Sequence, residues 1–123
     1  MNFIRKLFFK SDEGGVPDEK QELKKMVLFK ISQLEKSKVL GKNVDELLFI
    51  FRVFIKNMFD IREQLTLEEM LKRLKARKLQ KVVMDKITLF SVKISEAKYS
   101  NIKIEQTEFD ELVLDFKKIV ELV

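Results

Sequence analysis

Apolar residues recur every three or four positions along most of this chain, and that spacing is the period of an amphipathic α-helix. The longest such stripe lies in the second half and consists of Leu79, Val82, Val83, Ile87, Phe90, Ile94 and Ala97. Because residues at this spacing share one face of a helix, the stripe predicts a single long helix that packs its apolar face on a core.

The long stripe lies between two stretches whose residue types are typical of helix N-termini. Thr66 is followed three residues later by Glu69, and in such a capping box each side chain accepts a hydrogen bond from the backbone N–H of the other residue. Thr107 and Asp110 repeat the arrangement with a shorter acid. The region therefore predicts a short helix, the long helix, a polar turn at residues 100–101 and a closing helix.

The first half of the chain predicts an antiparallel pair of helices. Pro17 and Asp18 suit a helix start, because proline has a helical φ and aspartate is favourable at the positive end of the helix dipole. Gly41 is a natural C-terminal stop, and Asn43 with Glu46 three residues later predicts the next N-cap. The apolar positions of the first helix are Leu23, Met26, Val27, Ile31 and Leu34.

The most apolar stretch covers residues 47–59, in which Arg52 and Lys56 share a narrow polar edge. A stretch of thirteen residues with two cations is shorter than the roughly twenty apolar residues that cross a bilayer, so no transmembrane span is predicted. Apolar side chains around most of the circumference favour a central core helix. An alternative is that Phe49 and Val53 form a partner groove or a dimer interface, because a small bundle hardly covers every face.

Residues 59–123 resemble a known family in the order of their helix signals. The pattern consists of Thr66-x-x-Glu69-x-Leu71-x-x-Leu74, then Ser95-x-x-x-Tyr99-Ser100, then Ile104-x-x-Thr107-x-x-Asp110-x-Leu112. It resembles the uncharacterised C-terminal helical domain that follows the membrane segments of prokaryotic transglutaminase-like membrane proteins. The resemblance implies a helical accessory module that works near a membrane, although the chain lacks the Cys and His of a transglutaminase.

Composition favours one domain and an all-α fold. The chain has 123 residues, 46% of them hydrophobic, with three glycines and one proline. A chain of this length forms one small core, and the scarcity of turn residues disfavours a many-stranded sheet. We expect a single domain over residues 19–123, a small bundle of four to five helices. The absence of cysteine excludes disulfide bonds and fits a cytoplasmic protein.

Residues 1–10 predict a short amphipathic helix, and residues 11–18, with Gly14, Gly15 and Pro17, predict a linker to the domain. The apolar face of the helix carries Phe3, Ile4, Leu7 and Phe8, and the basic face carries Arg5, Lys6 and Lys10. Such a helix can lie in a membrane interface with its cations among anionic headgroups. It can equally fold back and complete the core, because so short a helix is marginal alone. No secretory signal peptide is expected, since the segment has no uninterrupted apolar run and no cleavage site.

A basic cluster lies between the short helix and the long one, and it supplies most of the net charge of +5. Its members are Lys72, Arg73, Lys75, Arg77, Lys78 and Lys81. Cations at this density can bind the phosphates of nucleic acid or of anionic lipid headgroups. The cluster contains no aromatic residue for base stacking. An alternative is a solvated face that keeps a phenylalanine-rich chain in solution.

Catalytic chemistry is not expected from this composition. No histidine is present as a general base or metal ligand, and no cysteine is present as a nucleophile. We therefore expect no enzymatic activity, no cofactor, no metal and no small-molecule substrate. The predicted function is a non-catalytic helical interaction module or scaffold, peripheral to the cytoplasmic face of a membrane, that binds a protein partner or a second copy. The alternative is a soluble protein that binds nucleic acid through the basic cluster.

Overall fold

The computed structural model describes residues 19–36, 40–100 and 103–123, which form five α-helices. Their bounds are Glu19–Glu35 (α1), Leu40–Met58 (α2), Leu67–Ala76 (α3), Lys81–Tyr99 (α4) and Gln106–Leu122 (α5). No strand occurs in these ranges, so the predicted all-α fold is confirmed. None of the described helices combines the length and the apolar character that a membrane span requires. The predicted amphipathic helix of residues 1–10 and the linker of residues 11–18 lie outside the described residues.

The helices pack as two hairpins around one core. α1 packs on α2 and α4 packs on α5, and the two hairpins meet where α2 contacts α4 and α5 and where α1 contacts α5. α3 packs chiefly on α4. Three ion pairs between helices lie at the surface: Lys93–Asp115 at 3.3 Å, Lys98–Asp45 at 3.0 Å and Lys117–Glu35 at 2.9 Å. Because such pairs contribute little to stability, the arrangement rests on apolar packing.

The centre of the core is a cluster of four phenylalanine rings from three helices. Phe51 and Phe54 of α2 meet Phe90 of α4 and Phe116 of α5, and all four side chains are buried. The ring centroid of Phe116 lies 5.5 Å from that of Phe51, 5.9 Å from that of Phe54 and 5.4 Å from that of Phe90. Tilted and edge-on ring pairs of this kind stabilise a core beyond their buried area. The apolar stretch of residues 47–59 is therefore mainly a core helix.

The start of α3 is the predicted capping box. The Thr66 hydroxyl oxygen accepts a hydrogen bond from the Glu69 N–H at 3.1 Å, and the Thr66 N–H donates to Glu69 Oε1 at 2.9 Å. The hydrogen bonds from the Thr66 backbone and side chain lower the pKa of Glu69, because they favour its charged form. A local sequence signal thus predicts this helix start correctly.

The predicted N-cap at Asn43 is wrong, because α2 already begins at Leu40 and includes Gly41. Asn43 is buried, and its Nδ2 donates a hydrogen bond to the carbonyl oxygen of Leu34 at 3.3 Å. That carbonyl belongs to the last turn of α1, where carbonyl groups lack partners within the helix. Asn43 therefore closes the end of one helix from inside the next, and Gly41 does not stop a helix.

The predicted N-cap at Thr107 is also wrong. The N-cap of α5 is Glu105, which forms a capping box with Glu108, whose Oε1 accepts from the Glu105 N–H at 3.3 Å. Thr107 is exposed within the first turn. Asp110 instead accepts a hydrogen bond from Gln106 Nε2 at 2.8 Å.

The buried stripe of α4 differs from the prediction at two positions. Leu79 packs against the core but precedes the helix, which begins at Lys81. Ile87, Phe90 and Ile94 are buried as predicted, but Val82 is 58% exposed. Val83, also in the predicted stripe, packs against the core, whereas Val82 does not, because neighbouring residues of a helix point about 100° apart. Val82 therefore lies on the solvent side of α4.

Candidate anion-binding site

The basic cluster occupies the corner between α3 and α4. α3 ends at Ala76, and its C-cap residue Arg77 donates its N–H to the Leu74 carbonyl oxygen at 3.0 Å. Lys78 follows with a φ of 55°, a left-handed conformation in which the chain turns toward α4. All six basic side chains of the cluster are exposed. The structure thus gathers the predicted cations on the surface of one corner.

The two arginines of the cluster bind other parts of the protein. Arg73 Nη2 lies 2.6 Å from Glu63 Oε2. This hydrogen bond lowers the pKa of the Glu63 carboxyl and raises the pKa of the Arg73 guanidinium, because each charge favours the other. Arg77 Nη1 donates a hydrogen bond to the carbonyl oxygen of Phe59. Both partners belong to residues 59–66, the loop that joins α2 to α3, so the two arginines hold this loop.

The 59–66 loop is also held from α2. Asp60 has a φ of 56°, and the Ile61 N–H donates to the carbonyl oxygen five residues earlier at 2.8 Å, which is the pattern of a Schellman motif. Arg52 Nη2 donates to the Leu65 carbonyl oxygen at 2.6 Å. Arg52, which the sequence places on the polar edge of an apolar helix, therefore positions the residue before the N-cap of α3.

The four lysines of the cluster have no such partners. Within the described ranges, no acidic side chain forms an ion pair with Lys72, Lys75, Lys78 or Lys81. α4 starts beside them with no side-chain hydrogen bond from its N-cap Gln80 and no acid in its first turn. The N–H groups at that end of the helix dipole add to the positive potential of the lysines. The corner therefore offers four ammonium groups to an anionic ligand.

α1 begins next to Arg77, one of the six residues of the basic cluster. Glu19 and Lys20 line a surface depression together with Phe59, Asp60 and Arg77. Residue 19, the first described residue, therefore lies on the side of the domain that carries Arg77. The sequence gives no sign of this proximity, because residues 19 and 77 are far apart along the chain.

The sequence-based interface candidates Phe49 and Val53 are only partly exposed, and Phe49 packs against the core. The candidates within residues 1–10 lie outside the described part of the chain. The most exposed large apolar side chains lie elsewhere, at Phe29, Val82, Leu89, Val92, Tyr99, Leu114 and Leu122. The signal that could have shown several of them is a second apolar spacing along α4.

Among the described residues, no group of three or more His, Cys, Asp or Glu side chains is arranged to hold a metal ion. Comparison with models of known protein families, with curated proteins and with solved structures finds no match for this chain. The resemblance of residues 59–123 to the helical domain of transglutaminase-like membrane proteins therefore stays a prediction.

Proposed function

We propose that this chain is a non-catalytic helical module that binds the anionic, cytoplasmic surface of a membrane. The observation that carries the proposal is the start of α1 beside Arg77, one residue of the basic cluster. Residues 10 and 19 are nine positions apart, and an extended chain of that length spans at most about 30 Å. Residues 1–10 and the lysines of the cluster can therefore reach the same lipid surface.

The two elements contribute different parts of the binding energy. Each lysine beside anionic lipid adds about 1 kcal/mol, and this attraction fades beyond a Debye length of about 10 Å in about 0.1 M salt. Each large apolar side chain of residues 1–10 adds about 1.5 to 3 kcal/mol when fully buried, and ordering the segment offsets part of that gain. The unpaired lysines support this division, because no ion pair among the described residues has to break before lipid binds.

Nucleic acid is the alternative ligand for the same lysines. Binding sites for single strands combine cations with aromatic side chains that stack on the bases. Tyr99, the most exposed aromatic side chain of the described residues, lies at the far end of α4, about 27 Å from Lys81 at 1.5 Å per residue. Phe59, which lies beside Arg77, is partly buried. These placements favour lipid over nucleic acid.

Co-sedimentation with vesicles tests the lysines. The wild-type chain should pellet with vesicles that contain phosphatidylserine and stay in solution with pure phosphatidylcholine. The variant in which Lys72, Lys75 and Lys78 are replaced by Gln should lose most of the pelleting, and added salt should weaken the pelleting of the wild type. Equal pelleting of wild type and variant would overturn the role of the cluster.

The matched control removes the same charge elsewhere. Lys36, Lys42 and Lys103 are exposed and lie outside the cluster. Replacing these three by Gln lowers the net charge by the same amount and should leave pelleting unchanged. A loss equal to that of the cluster variant would show that binding depends on net charge alone.

A second pair of substitutions tests residues 1–10. Phe3→Glu with Leu7→Glu should abolish pelleting and leave helicity and thermal stability nearly unchanged. Unfolding of this variant would show that the segment completes the core, and the membrane proposal would then be wrong. Salt-sensitive binding of the wild type to DNA or RNA, with no binding to vesicles, would establish the nucleic-acid alternative.

A further inference from the structure

α4 carries a second apolar stripe on its exposed side. Val82 is 58% exposed, Leu89 55%, Val92 48% and Tyr99 75%. The four residues are separated by seven, three and seven positions, so they occupy a sector of about 100° on the helix surface. The residues of the buried stripe, such as Phe90 and Ile94, face the core instead. α4 is therefore apolar on two sides, and only one side is covered within the described chain.

The spacing of the exposed stripe is that of a coiled-coil seam. Steps of seven and three place the residues at the a and d positions of a heptad, where side chains insert between those of a facing helix. The sequence of steps is also the same in both directions along α4. Such a seam fits a copy of itself that runs antiparallel, with Val82 opposite Tyr99 and Leu89 opposite Val92.

We propose that α4 is a homodimer surface, on which the same helix of a second copy packs antiparallel about a two-fold axis. This inference does not require membrane binding, but the two proposals share Lys78 and Lys81, which belong both to the basic end of α4 and to the basic cluster. A two-fold contact is closed, because each copy supplies the same patch and receives the same contacts.

Charge at the ends of α4 favours this orientation. Lys78 and Lys81 lie at its start, in the basic cluster. The Lys93–Asp115 ion pair shows that α5 runs back along α4, which brings the acidic first turns of α5, with Glu108 and Glu111, to the end of α4. Those two residues line a surface depression together with Glu96 and with Lys93 and Lys103. Lys93 is paired with Asp115, and Lys98 in the last turn of α4 is paired with Asp45, so this end keeps a net negative charge. In an antiparallel pair, the basic end of each copy lies over the acidic end of the other, and complementary charges of this kind select the orientation.

Two acidic residues within the seam weaken the contact between the two copies, and their positions allow its register to be tested. Asp85 and Glu96 occupy the two remaining a and d positions between Val82 and Tyr99. In the antiparallel register Asp85 faces Glu96 of the second copy, and like charges at facing positions are unfavourable. We expect a dissociation constant above the nanomolar range as a result, with dimers that form at high protein concentration.

Sedimentation equilibrium of the full chain tests the surface. The wild type should show a monomer–dimer equilibrium at concentrations up to about 1 mM. Leu89→Glu should raise the dissociation constant of the dimer by more than about tenfold, because it would bury an unpaired charge in the seam. The control is Leu114→Glu on the outer side of α5, a residue that is 53% exposed and should leave the equilibrium unchanged. A wild type that stays monomeric, or equal effects of the two substitutions, would overturn the proposal.

A charge-exchange cycle tests the antiparallel register. Asp85→Lys should tighten the dimer by about tenfold, because two repelling pairs become two attracting pairs, and Glu96→Lys should do the same. The double variant should return to wild-type affinity or weaker, because lysine then faces lysine. In a parallel pair each residue would face its own copy, so neither single substitution would tighten the dimer. If each single substitution tightened the dimer and the double variant bound more tightly still, the antiparallel register would be wrong.

Discussion

Thr66 and Thr107 show how side-chain reach decides where a helix begins. Each is followed three residues later by an acid, but only Thr66 forms a capping box. The acid after Thr66 is a glutamate, which reaches back to the N-cap N–H, whereas Asp110 is one methylene shorter. Glu105 and Glu108 supply two long acids just upstream, and α5 starts there. Spacing alone could not separate these two cases.

Thr66→Ala should lower the free energy of unfolding by about 1 kcal/mol, because the cap hydrogen bond is lost. Thr107→Ala, made at an exposed position inside α5, should change it by less than about 0.5 kcal/mol. Urea denaturation of the two variants measures the difference. Equal losses would contradict Glu105 as the N-cap.

Lys78 is in a conformation that glycine adopts at lower energy. Its φ is 55°, and a residue with a Cβ costs about 1 to 2 kcal/mol there. Lys78→Gly should therefore raise the free energy of unfolding by about 0.5 to 1 kcal/mol, after the greater entropy loss of glycine is subtracted. Lys75→Gly removes the same charge inside α3 and should lower the free energy of unfolding by about 1 kcal/mol. Urea midpoints that fall in both variants would show that the Lys78 side chain stabilises the turn.

The sequence predicts which segments are helical better than it predicts the residues at which the helices begin and end. The core-facing stripes could be predicted, because hydrophobic periodicity belongs to each segment by itself. The start of α2 could not, since Asn43 has the residue type of a local N-cap and its partner Leu34 belongs to another helix. The sequence also could not show which of Val82 and Val83 is buried, because packing against the core decides between two adjacent valines.

Phe90 and Leu89 are neighbours in α4 with opposite environments. Phe90 is 1% exposed and its ring centroid lies 4.6 Å from that of Phe51, while Leu89 is 55% exposed. Phe90→Ala should lower the free energy of unfolding by about 3 to 5 kcal/mol through lost burial and a cavity. Leu89→Ala, measured below the concentration of dimer formation, should change it by less than about 0.5 kcal/mol. Circular dichroism during thermal unfolding measures the stability of both variants. A Phe90→Ala variant with nearly wild-type stability would show that the Phe90 ring lies outside the core.

The basic cluster could be predicted because its members lie close together in the sequence. The different roles of its members could not, since Arg73 and Arg77 bind a loop that precedes α3. The position of the start of α1 beside Arg77 depends on how the helices pack, which no local pattern encodes. The exposed stripe of α4 is also present in the sequence, but spacing alone cannot tell which of two apolar stripes on one helix packs on the core.

The stability of the domain should fall in acid. The pKa of Glu63 is lowered by its hydrogen bond from Arg73, and the pKa of Glu69 is lowered by its hydrogen bonds with Thr66. A carboxyl with a lower pKa in the folded state contributes stability above its unfolded pKa and loses that contribution as the pH falls through the folded value. Urea midpoints should therefore drop as the pH falls below about 5, and Glu63→Gln with Glu69→Gln should flatten the drop. An unchanged pH dependence in the double variant would contradict this cause.

The cations that hold the 59–66 loop and the cations that face solvent differ in their functional group. Arg52, Arg73 and Arg77 hold the loop with guanidinium groups, whereas the four lysines of the cluster present primary amines to solvent. Acylating reagents react with amines and spare guanidinium groups, so they would neutralise the lysine surface and leave the loop contacts in place. Acetylation of the same lysines in a cell would remove their charge in the same way. Acylation should thus abolish the proposed lipid binding while the fold that presents the lysines stays intact.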